Sequence, residues 1–340
     1  MHANPSMWSH ENHYEALEFN GNATNMKLTT YTHPLHGIEP VAGVLQGDRV
    51  LNAGELLGHV QPMSMLDLLR DGPEVMVALA LATTRFAEIH TDSVHVPRNV
   101  AVPSWESTML APITEPTSIR DFYAFEQHVG SGYKKRGREI PAAWFEVPVF
   151  YFAHTGNIFG PDDSIPKPLE CAELDFELEL AAIIGTPGRD IPAERAWEHI
   201  AGFTVMNDWS ARDIQRQEMG VGLGPAKGKD FATSFGPVIV TIDEIKDRIS
   251  GDSLDLRMTA RVNDDEVSSD STASMYWGFP KLIERASKHA ELRPGDIIGS
   301  GTCGTGCILE LGTDRLAWLQ PGDEIELEVE RIGKLRSVIR

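Results

Sequence analysis

The stretch 173-ELDFELELAAIIG-185 decides how this chain is expected to fold. Apolar and acidic residues alternate over residues 174–180, and residues 181–184 are then apolar without a break. Alternation with a period of two is typical of a β-strand, whose successive side chains point to opposite faces. We therefore predict one strand here that runs into a core. Its odd-numbered face would carry three carboxylates, those of Asp175, Glu177 and Glu179.

These carboxylates allow two interpretations. A half-buried strand often turns its acidic residues toward water, and exposed Asp and Glu are ordinary. Alternatively, carboxylates two residues apart on one strand face lie roughly 7 Å from each other, and a bound cation relieves their repulsion. A cation would need further oxygen ligands, so the second interpretation depends on whether other parts of the chain supply them.

The composition limits the class of protein and its partners. The chain has 340 residues, of which 41% are hydrophobic and 24% charged, as in ordinary globular proteins of one large or two smaller domains. Its 30 basic and 50 acidic residues give a net charge of −20. Such a charge repels nucleic acids and anionic membranes. We predict neither as a partner, so local cations or a metal must attract any acidic substrate.

The cysteines and the N-terminal residues bear on cellular location. Three cysteines, Cys171, Cys303 and Cys307, imply no disulfide framework and fit a reducing compartment. Two of them are four residues apart without a second pair, which argues against structural zinc. The sequence has no apolar run long enough to span a membrane and no secretory signal. We predict a cytoplasmic protein whose residues 1–25 are a flexible extension or follow a start codon assigned too early.

Turn and helix signals divide the chain near residue 105. Residues 26–105 show short strands, two helices separated at Gly72-Pro73, and a proline-rich extended segment. Residues 106–340 show many short strands and few helices. This pattern predicts an α+β, mostly β fold. It would combine a small N-terminal α/β domain with a larger domain built as a mixed β-sandwich, a barrel or a rolled sheet.

A polar segment follows the next predicted strand. Asp208 is well placed as the N-cap of a helix, and the spacing of the residues after it predicts one shared helix face. That face would carry Asp208, Arg212, Gln215 and Met219. An ordinary surface Asp–Arg pair is the alternative interpretation. A glycine-rich loop with Lys227, Lys229 and Thr233 then follows, where glycines allow backbone to approach a ligand.

Two more segments carry polar residues in an apolar setting. Asp121, Tyr123 and His128 lie together at a predicted helix start, although a lone histidine is more often structural than catalytic. Thr302 lies in a glycine-rich turn, and Glu310 lies inside a predicted apolar strand. An acid in that position is costly unless it is paired.

Taken together, these segments resemble the fumarylacetoacetate hydrolase family. The resemblance covers residues 106–340, where ELDFELEL, MNDWSARDIQ, GPAKGKDF and GSGTCGTGCILEL occur in family order with matching spacing. The segment DFYAFEQH is similar to the fumarylacetoacetase branch. The resemblance implies a β-roll catalytic domain, a homodimer and a small dicarbonyl acid as substrate.

The activity implied by the resemblance is metal-dependent hydrolysis of a carbon–carbon bond in a β-diketo acid, through a metal-stabilised enolate. The substrate would resemble fumarylacetoacetate or an acylpyruvate. A decarboxylase, hydratase or tautomerase of a small 2-keto acid at the same metal is the alternative. A third hypothesis is that the protein binds an ion or a small acid without catalysing a reaction.

The resemblance also implies roles for individual residues. The metal would be Mg²⁺, Mn²⁺ or Ca²⁺, which an all-oxygen, carboxylate-rich set suits. Its ligands would be Asp121, Glu177, Glu179 and Asp208, with Lys229 and Thr233 bordering them. His128 would be the general base and Glu310 its orienting acid. The oxyanion would be stabilised by Arg212, Gln215 and Lys229, and substrate contacts would come from Tyr123, Gln215, Met219 and Thr302.

Two positions depart from the family pattern. The family hydrolase has a substrate-contacting tyrosine where this chain has Met219, which removes a hydroxyl donor. It also has a lid arginine where this chain offers Arg136, Gly137 or Arg138. We therefore expect shorter or less polar acylpyruvates to be better substrates than fumarylacetoacetate.

Overall fold

The computed structural model describes residues 25–35, 37–89 and 96–340. The extension predicted for residues 1–25 lies outside these ranges, except at its last residue. The first part of the chain forms a meander, helices and two short strands. Its elements are β1 Lys27–His33, β2 Gly37–Gln46, β3 Arg49–Asn52, α1 Ala53–Leu57, α2 Met65–Arg70, α3 Pro73–Ile89, β4 Ala101–Pro103 and β5 Thr108–Leu110.

The rest of the chain is dominated by short strands. Its first elements are β6 Ser118–Phe122, α4 Glu126–Lys135, α5 Ala142–Glu146, β7 Phe150–Ala153, β8 Ile158–Phe159, β9 Ser164–Ile165, β10 Leu174–Asp175, β11 Leu178–Ile184, β12 Gly188–Arg189, β13 Ile200–Asn207, β14 Ser210–Ala211, α6 Arg212–Met219, β15 Thr233–Thr241 and α7 Ile242–Ile245. They are followed by β16 Ile249–Ser250, β17 Ser253–Leu254, β18 Arg257–Val262, β19 Asp265–Ser271, α8 Phe279–Ser287, β20 Glu291–Leu292, β21 Asp296–Gly299, α9 Ile308–Leu311, β22 Glu324–Val329 and β23 Gly333–Ile339.

One large mixed sheet organises the molecule. Among the described residues it has 12 strands along the path β4-β3-β2-β1-β15-β13-β11-β21-β6-β7, with β5 beside β1 and β8 beside β15. A five-stranded sheet, β19-β18-β22-β23-β9, lies against it. The predicted α+β, mostly β fold is confirmed. The division near residue 105 stays a prediction, and the sheet continues across it because β1 pairs with β15.

Strand β11 is buried on both faces, which explains why residues 181–184 are apolar without a break. Its even-numbered residues, such as Leu178 and Leu180, belong to the larger core cluster. Ala181 and Ile183 belong to a second cluster that includes residues of α1, α2 and α3. The odd-numbered face therefore changes from acidic to apolar along the strand.

The continuous strand predicted over residues 173–185 is wrong. The chain forms β10, which pairs with β14, and then leaves the ladder before β11 begins. The break occurs because the backbone N–H of Glu177 donates to the side-chain Oδ1 of Asn207 at 2.9 Å instead of to a strand. Asp175 in β10, Glu177 between the two strands and Glu179 in β11 are nevertheless all buried, so the interpretation as a water-facing strand face is also wrong.

Three local predictions also need correction. Asp121 lies in β6 rather than at a helix start. Asp208 is not the N-cap of α6. The two residues directly before α6 form β14, which pairs with β10, and the second of them, Ala211, is the N-cap residue. Glu310 lies in the short helix α9 rather than in a strand. The carboxylate of Asp175 accepts the N–H groups of Ile308 and Leu309 and so favours that helical turn.

No helix among the described residues combines the length and the apolar character that crossing a bilayer requires.

Candidate functional site

Three carboxylates from separate strands meet in the interior. One oxygen each of Asp121 in β6, Glu179 in β11 and Asp208 just after β13 lies within 4.8 Å of the others. Strand β21 runs between β11 and β6. A Cβ added at Gly299 of β21 would lie only 2.5 Å from Oδ1 of Asp121. The glycine therefore gives the carboxylates room to converge above the sheet.

This carboxylate cluster has the properties of a cation site. In the described structure, the Oδ1 atoms of Asp121 and Asp208 are buried without a hydrogen-bond partner. Burial, together with the neighbouring charge of Asp208, raises the pKa of Asp121 well above its usual range. Burial and the negative charges of Asp121 and Asp208 also raise the pKa of Glu179 well above its usual range. Unpartnered oxygens that repel one another fit a hard divalent cation.

Glu179 is held by groups outside the cluster. Its Oε2 accepts the backbone N–H of Gly301 at 3.2 Å, and its Oε1 accepts the hydroxyl of Thr302 at 3.4 Å. The structure thus places Thr302 against a candidate metal ligand. Its predicted contact with substrate stays a prediction. Thr233 is buried at the start of β15, and in the described residues its hydroxyl makes no hydrogen bond to the cluster.

Glu177 lies against two cations instead of joining the three-carboxylate cluster. Nη2 of Arg212 donates to its Oε1 at 2.6 Å, and Nζ of Lys229 donates to its Oε2 at 2.5 Å. Burial raises the pKa of Glu177, but Arg212 and Lys229 outweigh that effect and hold it well below its usual range. Lys229 also donates to Oδ2 of Asp208. Lys229 therefore bridges Glu177 and the cluster.

The guanidinium of Arg212 donates hydrogen bonds to three side chains. Besides Glu177, its guanidinium donates to Oδ2 of Asp175 at 2.8 Å and to Oε1 of Gln215 at 3.2 Å. The positive charges of Arg212 and Lys229 thus balance buried carboxylates. That they stabilise an oxyanion during the reaction stays a prediction. Arg212 also orients the side-chain amide of Gln215. The backbone of Gln215 lies close to Gly228, since a Cβ added at Gly228 would be 2.7 Å from the backbone nitrogen of Gln215.

A histidine–carboxylate pair lies beside this charged network. Nδ1 of His128 in α4 is 3.2 Å from Oε2 of Glu310 in α9, and both side chains are buried. Gln127 and Ser131 donate to the other oxygen of Glu310, at 3.1 and 3.3 Å. Burial raises the pKa of Glu310, but the contact with His128 outweighs it and keeps that pKa below its usual value. Glu310 can therefore orient the imidazole and stabilise its protonated form.

Of the remaining predicted substrate and lid residues, Tyr123 contacts His128, Arg136 lies close to Tyr123, and Met219 lies on a different helix. The Tyr123 ring meets the His128 ring edge to face at 5.5 Å, and burial raises the pKa of Tyr123 to about 12. A Cβ added at Gly132 would lie 3.3 Å from Oη of Tyr123 and 3.4 Å from Nη2 of Arg136. Of the three lid candidates, Arg136 is thus the one that the structure places near Tyr123. Met219 is half-exposed at the end of α6, one turn beyond Gln215.

Sequence reasoning missed Tyr151. Its hydroxyl donates to Oδ2 of Asp208 at 2.7 Å, and its Cα is the cross-strand partner of Asp121 between β6 and β7. Within the apolar stretch VPVFYFA nothing distinguishes it from a core aromatic residue. Asp175 was seen in the sequence but left out of the site. It supports the site indirectly, because it holds both Arg212 and the start of α9.

Comparisons with known proteins identify similar sequences. Residues 117–340 match the family model described as fumarylacetoacetate (FAA) hydrolase C-terminal. The mitochondrial oxaloacetate tautomerase FAHD2A of Bos taurus is 33% identical over 316 residues, which are 91% of this chain and 90% of that protein. The fumarylacetoacetase of Oryza sativa subsp. japonica is 31% identical over 296 residues, covering 69% of this chain and 68% of that protein.

Solved structures show the same fold. The fumarylacetoacetate hydrolase from Exiguobacterium antarcticum superposes with a TM-score of 0.68 at 25% identity, covering 93% of this chain and 99% of that one. A maleylpyruvate hydrolase from Sphingobium sp. SYK-6 superposes with a TM-score of 0.64 at 23% identity, covering 92% and 99%.

Proposed function

Since this chain belongs to the fumarylacetoacetate hydrolase family, we propose that it is an enzyme that interconverts the keto and enol forms of a small 2-oxo dicarboxylic acid of the oxaloacetate type. The observation that carries this proposal is the buried His128–Glu310 pair beside the three-carboxylate cluster. A tautomerase needs a group that moves a proton next to a site that stabilises the enolate. Relatives named as oxaloacetate tautomerases, matched over nine-tenths of both chains, support the substrate class.

The cofactor in this proposal is a divalent cation, with Mg²⁺ preferred and Mn²⁺ or Ca²⁺ as substitutes. Asp121, Glu179 and Asp208 would hold it, because their oxygens converge and two of them are unpartnered. When bound, it would supply Lewis-acid stabilisation of negative charge on a substrate oxygen. Glu177, the fourth ligand implied by the resemblance, is proposed instead to keep Lys229 and Arg212 in place.

His128 would perform the proton transfer. Its Nδ1 faces Glu310, which leaves the other ring nitrogen to exchange protons with substrate. The imidazole takes the proton from the carbon next to the 2-oxo group, and the C–H electron pair forms the carbon–carbon double bond of the enolate. The proton is then returned to oxygen, and the reverse sequence restores the keto form. Glu310 stabilises the imidazolium between the two transfers.

The carboxylates of the substrate would meet donors that the lid and α6 provide. Arg136 and Tyr123 lie close to Gly132, the Tyr123 ring contacts His128, and the side-chain oxygen of Gln215 accepts a hydrogen bond from Arg212. In a chain with a net charge of −20, such local donors are needed to attract an acidic substrate. We assign the lid role to Arg136. A homodimer and a cytoplasmic location remain part of the proposal.

Hydrolysis of a β-diketo acid is the second candidate. The fumarylacetoacetase relative favours it, and the same His128–Glu310 pair could take a proton from an attacking water. Hydrolysis also needs donors for a new oxyanion. Arg212 and Lys229 are already paired with carboxylates, and for this reason hydrolysis is placed second.

A direct comparison of activities tests the proposal. Purified protein with Mg²⁺ should accelerate the loss of enol-oxaloacetate absorbance more strongly than it accelerates acylpyruvate hydrolysis or oxaloacetate decarboxylation. The rates are expressed as kcat/KM for each substrate. If acylpyruvate hydrolysis has the highest kcat/KM, the second candidate takes the place of the first.

Substitution of Met219 tests how the site selects among diketo acids. Met219→Tyr restores a hydroxyl donor at the end of α6, and one hydrogen bond to a charged group is worth about 1.5–3 kcal/mol. We expect kcat/KM for fumarylacetoacetate to rise at least about tenfold, while that for a short acylpyruvate changes little. Val221→Tyr, which places a tyrosine on a more exposed residue of the adjacent loop, is the matched control. An equal rise in both variants would contradict a specific role for residue 219.

A further inference from the structure

A second group of metal-binding side chains lies next to the His128–Glu310 pair. A ring nitrogen of His128, the Sγ of Cys307 and a carboxylate oxygen of Glu177 all lie within 4.8 Å of one another. The sulfur is 3.8 Å from Nδ1, the nitrogen that also faces Glu310. All three residues are buried. The proposed reaction uses His128 but gives Cys307 no task.

We propose that Cys307, His128 and Glu177 form an inhibitory site for a soft divalent cation of the Zn²⁺ class. Thiolate, imidazole and carboxylate are the ligands that Zn²⁺ takes in proteins, at about 2.0–2.3 Å. A tetrahedral ion with such bonds has donors roughly 3.5 Å apart, so the three atoms need only small side-chain rotations. A water would take the fourth position. Mg²⁺ prefers an all-oxygen site and would remain with the other cluster.

A buried cysteine is more often a small apolar residue than a ligand. Cys303 illustrates that ordinary case, since it is fully buried four residues earlier and joins no candidate metal group in the described residues. Cys307 differs because its sulfur faces an imidazole and a carboxylate. The two cysteines therefore form a matched pair for an experiment.

Occupation of this site would stop the enzyme, an inference that rests on the proposed function of His128. An ion bound at Nδ1 displaces Glu310, so the imidazole loses the carboxylate that orients it. The same ion draws Glu177 away from Arg212 and Lys229. The thiol releases its proton to solvent when the metal–sulfur bond forms.

Co²⁺ binding tests the site without reference to activity. Full-length protein in excess Mg²⁺ is titrated with Co²⁺, and we expect the near-ultraviolet charge-transfer band that only thiolate–cobalt coordination produces. Zn²⁺ should abolish the band by competition. Cys307→Ser should remove it and Cys303→Ser should retain it. Absence of the band from the wild-type protein, or its persistence in Cys307→Ser, would overturn the site.

His128→Gln provides a second test in case the cysteine variant does not fold. It leaves the sulfur in place but removes a ligand, so the apparent Co²⁺ affinity should fall by at least about 10–100-fold. An unchanged affinity would exclude His128 as a ligand and overturn the site as drawn.

Inhibition is measured separately, with the rate of each variant expressed relative to its own rate without Zn²⁺. Wild-type and Cys303→Ser proteins should be inhibited by the same Zn²⁺ concentration, and Cys307→Ser should require about 10–100-fold more. If Co²⁺ gives the band but Zn²⁺ leaves turnover unchanged, the inhibitory role is refuted while the site stands. A protein that binds Co²⁺ in this way but turns over no 2-oxo acid refutes the proposed function instead.

Discussion

Replacing His128 with alanine should lower turnover of a 2-oxo dicarboxylic acid by about 10²–10⁴-fold, the usual contribution of a positioned general base. The expectation follows from the buried contact of 3.2 Å between Nδ1 of His128 and Oε2 of Glu310. Without the imidazole, only water could take the proton from carbon. The loss should appear in kcat, because the candidate cation site and the lid remain intact.

Glu310→Gln should show the same defect on a smaller scale. Glutamine keeps an acceptor near Nδ1 but removes the negative charge that stabilises the imidazolium. The double variant should be little slower than His128→Ala alone, since residues that act as a unit are not additive. His199→Ala is the matched control, because that imidazole is half-buried and hydrogen-bonded to the Thr186 carbonyl outside the site. Its turnover should be unchanged.

Decarboxylation of oxaloacetate separates the roles of the base and the cation site. It requires no base to abstract a proton, so His128→Ala should reduce it much less than tautomerisation or acylpyruvate hydrolysis. The ratio of these activities in one protein preparation is the decisive measurement. If proton transfer survives and decarboxylation collapses, the assignment of His128 is wrong and a decarboxylase becomes the better description.

The sequence and the family resemblance pointed to the residues of the candidate site, but the local structure around those residues was predicted less well. The alternating carboxylates near residue 177 predicted a strand and left two interpretations open, a water-facing face and a cation site; the structure shows that all three carboxylates are buried. The strand itself is split, because an asparagine side chain takes the N–H of Glu177. A side-chain contact between two residues that are 30 positions apart cannot be predicted from the alternation of apolar and polar residues.

Charge pairing was also beyond sequence reasoning. Glu177 and Glu179 look equivalent in ELDFELEL, but only Glu179 converges with the two aspartates. Glu177 is neutralised by Arg212 and Lys229, which come from segments 35 and 52 residues away. The family resemblance could place all four acids in one region. It could not show which of them faces protein cations.

Strand register hid one further residue. Tyr151 joins the site because β7 pairs with β6 so that Tyr151 lies opposite Asp121. Strand β7 ends the path of the sheet next to β6, and its register against β6 cannot be read from the alternation of residues in the sequence. A tyrosine in an aromatic strand therefore gave no functional signal by itself.

Removal of divalent cations should abolish turnover, and Mg²⁺ or Mn²⁺ should restore it. The carboxylates of Asp121, Glu179 and Asp208 converge, and one lysine, Lys229, which contacts Asp208, cannot balance all three negative charges. The site therefore depends on a bound ion for neutralisation. Glu179→Gln should lower metal affinity by at least about 100-fold, as expected when a ligand rather than an outer partner is lost. Isothermal titration with Mn²⁺ measures this. Full activity in excess chelator would contradict the prediction.

The pH dependence of stability gives an independent signature of the same cluster. In the metal-free protein the pKa values of Asp121 and Glu179 are raised above the unfolded value of about 4. As pH rises from about 4, the unfolded chain loses these protons before the folded protein does. The free energy of unfolding should therefore fall as pH rises through the raised pKa values. Saturating Mg²⁺ should reduce this decline.

The same substitution at two neighbouring glutamates should then have opposite effects on the metal-free protein. Glu179→Gln removes one of three repelling carboxylates and keeps an amide oxygen for Gly301 and Thr302, so the melting temperature at pH 8 should stay equal or rise. Glu177→Gln removes the partner of Arg212 and Lys229 and leaves buried positive charge less compensated. Its free energy of unfolding should fall by up to about 3–5 kcal/mol. Thermal unfolding of both variants in chelator distinguishes the two roles, and a loss of stability in Glu179→Gln with none in Glu177→Gln would reverse the assignment.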